Sequence, residues 1–455
     1  MIELTAGQIA DVTAAQIVRD GPDSAGPTRA EVDSRRVGAG DLFFGLIGAN
    51  ANGGEFAAAA IEAGAWGVVV TPEHAGSLRG ATGEAWVFAS PDPLASMQSL
   101  ARAWRWKLDC RVVGITGSTG KTSVKDICHA LLPFRVHASP ENFNTEIGLP
   151  LAILSAPAET EVMVLEMAMR GAGQIAELCA IAEPDVAAIT NVGPVHLELL
   201  GTLDAIVEAK AEVLSGMVED GRAVVPADAE ALEPHLSDSL VTITFGPGGD
   251  VFALESRVAG STTEALIGTP DGEQHFAFPF TEAYNLTNAL AAVAIGIALE
   301  AEPRAMAARA PEITFSRLRG EIISLPGGIE LVNDSYNANP ISMRAALDHL
   351  AAMPTNEPGA KRVAILGGMA ELGPEGPAFH REIGAHARGL GLGPIVGVGE
   401  LARDYAPDEW APDPETAVAI ADPLITDGDA VLVKGSRSVG LEEFTEGLIA
   451  KRGRG

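Results

Sequence analysis

Positive charge is what this chain of 455 residues has least of: 31 Lys and Arg stand against 61 Asp and Glu, a formal net charge of −30. A protein that grips nucleic-acid phosphates over a broad face needs the reverse balance, so no nucleic-acid partner is expected and any anionic ligand must be held locally. Cysteine is nearly absent. Cys110, Cys128 and Cys179 have neither disulfide nor metal-ligand spacing, which fits a reducing, cytoplasmic setting. Long apolar runs are missing as well. The start MIELTAGQIA has no basic region ahead of an apolar core, and the most apolar later stretch, 286–299, is too short for a bilayer and carries Thr287 and Asn288. Neither a signal peptide nor a membrane span is predicted.

Lysine is scarcer than arginine: there are seven, Lys107, Lys121, Lys125, Lys210, Lys361, Lys434 and Lys451. In such a chain, a lysine inside a Gly-rich loop or on an apolar face marks a place that needs an amine rather than a guanidinium. Lys121, Lys210 and Lys434 stand out on that ground. What the chain has in quantity is apolar surface, 47% of residues against 20% charged, enough to bury packed cores and to exclude a disordered protein. At roughly 100–200 residues per domain, about three domains are expected.

Short apolar runs alternate with helical periodicity throughout, the rhythm of an α/β fold with mostly parallel sheets. The boundaries fall at 1–105, 106–311 and 312–455, with 303–311 as a linker. In the last segment GIELVNDSY, RVAILGG, GPIVGVG and DAVLVKGSR read as strands of an open nucleotide-binding sheet. Ligands in such sheets sit beyond the carboxyl ends of strands, so 334–340, 367–373 and 434–438 are candidate site loops. Asn339 and Pro340 read as N-cap and first turn of a helix burying Met343, Ala346, Leu347 and Leu350.

The strongest chemical signal is Gly117-Ser118-Thr119-Gly120-Lys121-Thr122-Ser123, directly after an apolar strand and directly before a helix. Glycines turn backbone amides toward phosphate oxygens, the helix N-terminus adds positive potential, Lys121 reaches the outer phosphates and Thr122 ligates Mg²⁺. Ile115 stands where the strict P-loop has glycine, so this is a GxxGKT variant. The plain alternative is an ordinary Gly-rich turn. The helix that follows buries Val124, Ile127, Cys128, Leu131 and Leu132, which makes Cys128 a core residue. A nucleotide there needs a metal, and Glu166 and His196, at the ends of the next two strands, are the candidate ligands. Either alone is as well explained as a satisfied polar residue. Lys210 lies seven residues after Leu203 on a helix capped by Thr202 and apolar at Leu203, Ile206, Val207, Val213 and Leu214, so it points inward. Its plain alternative is a lysine that snorkels to the surface. Burial lowers a lysine pKa, and a neutral amine can take up carbon dioxide as a carbamate.

GSTGKTS, ENFNTEIGLPL, VLEMAMRG, NVGPVHLELLG with AKAE, NDSYNANPISMRAAL, LGGMAELG and VLVKGSRS together resemble the Mur ligases, in the family's order over nearly the whole chain. The resemblance implies three domains: a uridine-nucleotide-binding domain, a central P-loop ATPase and a Rossmann-like domain closing over ATP. It also implies a reaction. ATP phosphorylates a carboxylate of a UDP-linked precursor and an amine attacks the acyl phosphate; UDP-MurNAc-tripeptide and D-Ala-D-Ala are the small-molecule partners, ATP and Mg²⁺ the cofactors, and a monomer the expected state. Cell-wall precursor synthesis is the implied setting.

Carried over residue by residue, Gly117 to Ser123 match the family's ATP loop, and Thr122, Glu166, His196 and Lys210 (as a carbamate) its metal site. Asn144, Thr145 and Glu146 match the segment near phosphates and substrate. Asn285, Asn288, Arg319, Asp334, Asn337 and Asn339 match its nucleotide contacts, while Lys434, Ser436 and Arg437 match a substrate and closure loop. Ser34 and Arg35 match the uridine-diphosphate site. The chain departs from the family pattern at Asn52-Gly53-Gly54, Ala168, Tyr284 and Gly368, and Tyr284 is a candidate for stacking on adenine. A folylpolyglutamate-synthase-like ligase and a P-loop switch that forms no bond are the alternatives. Because three modules contribute, Lys434 and Asp334 are expected to meet Lys121 only when the third closes on the second.

Overall fold

Four sheets follow one another along the chain in a computed structural model that describes every residue except 1–3, 24–25, 50, 141, 356, 358 and 454–455. The first has five strands in the order Gln16–Arg19, Trp86–Ala89, Gly67–Val70, Leu42–Phe44, Ala30–Glu31, antiparallel only at the Gln16–Arg19 edge. The second is a six-stranded, all-parallel sheet ordered Val241–Phe245, Arg222–Pro226, Val186–Ile189, Arg111–Thr116, Val162–Glu166, Val136–Ala138.

Helices cover both faces of the second sheet, which is why its central strands read as continuous apolar runs. Alternate side chains feed two cores. Val112, Met163, Leu165, Ala187 and Ile189 face one; Val113, Ile115, Val162, Val164 and Ala188 face the other, against helices Lys121–Leu131 and Ala283–Ala298. The first core runs on without a break into the N-terminal sheet through Leu42, Phe44, Val69, Phe88, Met97 and Trp104. Trp104 Nε1 also donates to the Ala156 carbonyl at 3.2 Å.

Two elements differ from the sequence reading. Residues 252–278 form a three-stranded antiparallel sheet that the sequence reading did not include; Thr263, Ala265 and Ile267 alternate inward at period two. The proposed linker is a helix, Pro303–Arg309, since Met306 is fully buried against the site of Gly296. The extended connection lies after it, to Gly320.

The fourth sheet is ordered Glu321–Leu325, Ile329–Asp334, Ala430–Lys434, Arg362–Gly367, Ile395–Val398, Glu409–Ala411, antiparallel only between the first two. Its two faces carry cores of their own. The helix Pro340–Ala352 begins as expected, with an Asn339–Ser342 capping box and Met343, Ala346, Leu347 and Leu350 buried. No helix among the described residues is long and apolar enough to cross a membrane.

Candidate active site

The loop 117–120 leaves the middle strand Arg111–Thr116 between the ends of its two neighbours, Val162–Glu166 and Val186–Ile189, where open parallel sheets bind ligands. Its glycines are required by geometry. Gly117 has φ +149° and a Cβ there would lie 1.9 Å from Thr190 Oγ1, while Gly120, at φ +79°, caps the helix Lys121–Leu131. The turn after the neighbouring strand moulds the loop. Asn191 Oδ1 accepts from the amides of Ser118 (3.1 Å) and Thr119 (2.9 Å), Thr190 Oγ1 donates to the Thr119 carbonyl (2.5 Å), and Ser118 Oγ donates to the Gly193 carbonyl (3.0 Å). With those two amides engaged, the first-turn amides of Lys121, Thr122 and Ser123 have no acceptor within the helix and suit an anion.

Lys121 Nζ donates to the Gly117 carbonyl at 2.8 Å; burial lowers its pKa and the Glu166 charge opposes that fall. Thr122 Oγ1 donates to Glu166 Oε2 (2.8 Å) and accepts from Arg319 Nη2 (3.1 Å), while Asn144 Nδ2 donates to Glu166 Oε1 (2.9 Å). No cluster of three His, Cys, Asp or Glu able to hold a metal exists among the described residues. Mg²⁺ takes one or two protein oxygens and completes its shell with phosphate and water, so the Thr122 hydroxyl and Glu166 carboxylate are a donor set that fits it.

His196 sits at φ +55°, and its Nδ1 lies 2.5 Å from Glu371 Oε2 on the fourth sheet's loop 368–373. Burial pushes its pKa down, Glu371 opposes, and Lys121 and Lys210 add to the fall. Lys210 is 2% exposed, with a pKa lowered well below the usual lysine range by burial and then by Lys121. The inward placement was foreseen, but Leu203, used to argue it, is 46% exposed. Ile206, Val207, Val213 and Leu214 are buried alongside Lys210.

One cavity of about 1420 Å³ has a wall that includes Ser118 to Ser123, Asn144, Thr145, Glu146, Glu166 and His196, together with Arg319, Asp334, Asn337, Asn339, Lys434, Ser436 and Arg437; Lys210 is not part of that wall. The residues expected to wait for closure thus already share a wall with Lys121. Lys434 Nζ binds Asp334 Oδ2 (2.6 Å) and the Asn337 carbonyl (3.0 Å), because Asp334 and Lys434 face each other across paired parallel strands. Ser436 Oγ accepts from the Ala370 amide (2.8 Å), tying the last two site loops together.

Other expected residues lie off that wall. Asn285 is buried away from the cavity wall; it donates to Glu282 (3.3 Å) and accepts from Asn288 Nδ2 (3.1 Å), so it orients Asn288, which does line the wall. Ser34 and Arg35 are absent from that wall, and the Arg35 guanidinium is 2.7 Å from Asp33, whose carboxyl it holds down to about 2. The departures at Gly54 and Gly368 have physical reasons. A Cβ at 54 would meet the His74 ring at 2.7 Å, and one at 368 would meet Leu401 Cβ at 2.6 Å. Residues missed in the sequence are Thr190, Asn191, Tyr336 and Glu371. Tyr336 lies under the Arg319 guanidinium at 3.9 Å, and with Tyr284 it puts two of the chain's three tyrosines on the cavity wall.

Residues 115–296 match the Mur ligase middle domain and 318–437 the Mur ligase glutamate ligase domain. The UDP-N-acetylmuramoyl-tripeptide–D-alanyl-D-alanine ligase of Bacillus subtilis is 33% identical, over 92% of each chain, and that of Escherichia coli is 30% identical, over 98% of this chain and 99% of its own. Among solved structures, MurF from Acinetobacter baumannii superposes with a TM-score of 0.87 at 27% identity over 98% of both chains. MurF from Thermotoga maritima, crystallised with ADP, gives 0.81 at 29% identity over 93% of this chain and 97% of its own. With a phosphate loop, a flanking carboxylate and a third module meeting in one cavity, and with relatives matching over nearly their full length, the chain belongs to the Mur ligase family.

Proposed function

We infer that this protein is an ATP-dependent ligase that adds D-alanyl-D-alanine to UDP-N-acetylmuramoyl-tripeptide in peptidoglycan precursor synthesis. The observation that carries the reading is the single cavity that joins the phosphate loop to the loops at Asp334 and Lys434, wide enough for a nucleotide and a second substrate side by side. Similarity that includes the first 105 residues favours it over a folylpolyglutamate-type ligase; such a synthase shares the fold at a TM-score of 0.63 over 80% of this chain.

The tripeptide's terminal carboxylate attacks the γ-phosphorus of ATP, ADP leaves, and an acyl phosphate forms. The dipeptide amine then adds to the acyl carbon, loses a proton, and inorganic phosphate departs as the amide closes. A free carboxylate resists amine attack because it is anionic, and phosphorylation removes that obstacle. Lys121 and Arg319 neutralise charge on the transferring phosphoryl group, and the first-turn amides of the loop hold the adjacent phosphate. The Thr122 hydroxyl and the Glu166 carboxylate would hold Mg²⁺, which would supply further charge neutralisation at the phosphates. His196 and a carbamylated Lys210 complete the proposed metal site: neutral Lys210 amine plus carbon dioxide gives the carbamate and releases one proton. Asn144, Thr145, Glu146, Ser436 and Arg437 are assigned to the peptide substrates, with Ser34 and Arg35 on the uridine-diphosphate end.

The test is phosphate release from ATP with Mg²⁺, supplying UDP-MurNAc-tripeptide and D-Ala-D-Ala separately and together. Turnover only with both, and a product heavier by one dipeptide minus water, is expected. Equal release with neither substrate would leave a nucleotide hydrolase and overturn the ligase reading.

A further inference from the structure

Arg319 reaches the phosphate loop from a connecting segment, 313–320, that is not itself part of a helix or strand. Extended connections of this kind hold a long side chain poorly unless something fixes the backbone. Here the fixture is Asp126. Thr122 and Asp126 are four residues apart on the helix Lys121–Leu131 and so lie on one face. Thr122 Oγ1 accepts from Arg319 at 3.1 Å. One turn along, Asp126 Oδ2 accepts from the Ser316 amide (2.8 Å) and Oδ1 from the Ser316 hydroxyl (3.1 Å). The segment is therefore pinned at two points, three residues apart, onto two points of one helical face.

Asp126 is itself held. Its side chain is 9% exposed, and Lys125 Nζ, 5% exposed, lies 2.8 Å from Oδ1 while donating to the Ser139 carbonyl at 3.1 Å. The other side of the segment is closed by the Tyr336 amide, which donates to the Leu318 carbonyl at 3.2 Å, and by the Tyr336 ring beneath the guanidinium.

We propose that Asp126 is a positioning residue for nucleotide binding: by clamping Ser316 it sets the place of the Arg319 guanidinium at the phosphate loop. This rests on the nucleotide assignment made above, not on the identity of the peptide substrates. Asp126 touches no reacting atom, and its effect passes through Arg319.

The experiment is a double-mutant cycle on the full chain, reading affinity for a non-hydrolysable ATP analogue by calorimetry in D126N, R319A and the double variant. Loss of charge-assisted bonds to a buried carboxylate predicts about a tenfold weakening in D126N. The double variant should bind no more weakly than R319A, because the two act as one unit. S316A, which removes only the hydroxyl bond, should weaken binding by about twofold to threefold and keeps the test open if D126N folds poorly. The KM for D-Ala-D-Ala should stay within about twofold while the KM for ATP rises. Additive losses in the cycle, or unchanged analogue affinity in both D126N and S316A, would overturn the proposal. Because analogue binding needs no ligation, absence of amide product with an intact cycle would count against the ligase reading alone.

Discussion

Lys210 puts an amine where the surrounding protein disfavours its charge. Its folded pKa lies well below the 10.5 of an exposed lysine. At any pH between those two values the unfolded chain binds a proton that the folded chain does not, so stability rises with pH across the window, by at most about 1.4 kcal/mol per pH unit. Lys210→Met removes that slope. The variant should unfold at higher urea than the parent at pH 7, with the gap shrinking toward pH 10, and should lose ligation, since neither amine nor carbamate remains. Unfolding midpoints across that range check the first part, and phosphate release the second. For Lys121 the expectation is kinetic. Lys121→Met should lower kcat by about a hundredfold or more with the fold unchanged by circular dichroism, because it withdraws a cation from the transferring phosphoryl group.

At the scale of elements, the phosphate loop is shaped by its neighbour. Gly117→Ala places a methyl group against Thr190 Oγ1 at a φ alanine rarely adopts, so it should weaken nucleotide binding by tenfold or more and cost about 1–3 kcal/mol of stability. Asn191→Ala removes the acceptor of the Thr119 amide, while the Ser118 amide keeps the main-chain carbonyl of residue 191 at 3.1 Å, and it should weaken the nucleotide with little change in melting temperature; calorimetric titration of ADP into both variants checks the pair. This is also where the sequence could and could not be read. The GxxGKT turn, its helix and the Asn339 cap could be read because the residue types that signal them lie within a few positions of one another. Asn191 is 73 residues from Ser118 and Glu371 is 175 from His196, so no pattern in either segment announces the contact. On a helix apolar nearly all round, two asparagines three residues apart do not reveal that Asn285 is the one that faces in. The antiparallel sheet at 252–278 was lost because its alternation is carried by threonine and alanine as much as by large apolar residues.

For the whole molecule, the two junctions between sheets are unlike in kind. The N-terminal sheet shares a continuous apolar core with the central one, whereas the last module keeps its cores to itself and meets the centre through polar pairs: His196 with Glu371, Arg170 3.8 Å from Glu371, Arg319 with Thr122, and the Glu198 amide on the Glu371 carbonyl at 3.3 Å. Relative motion is therefore expected at the second junction, since separating an apolar core exposes far more unfavourable surface than parting a few hydrogen bonds. Glu371→Ala should loosen that junction, read as faster proteolysis near 313–320 and a raised KM for ATP.

The polar seam also has a consequence for turnover. A product caught between the last module and the phosphate loop leaves only when those pairs part, and screening by salt weakens charged contacts at a solvent-accessible seam. If release sets the pace, moderate salt should quicken steady-state cycling while leaving the rate of a single turnover unchanged.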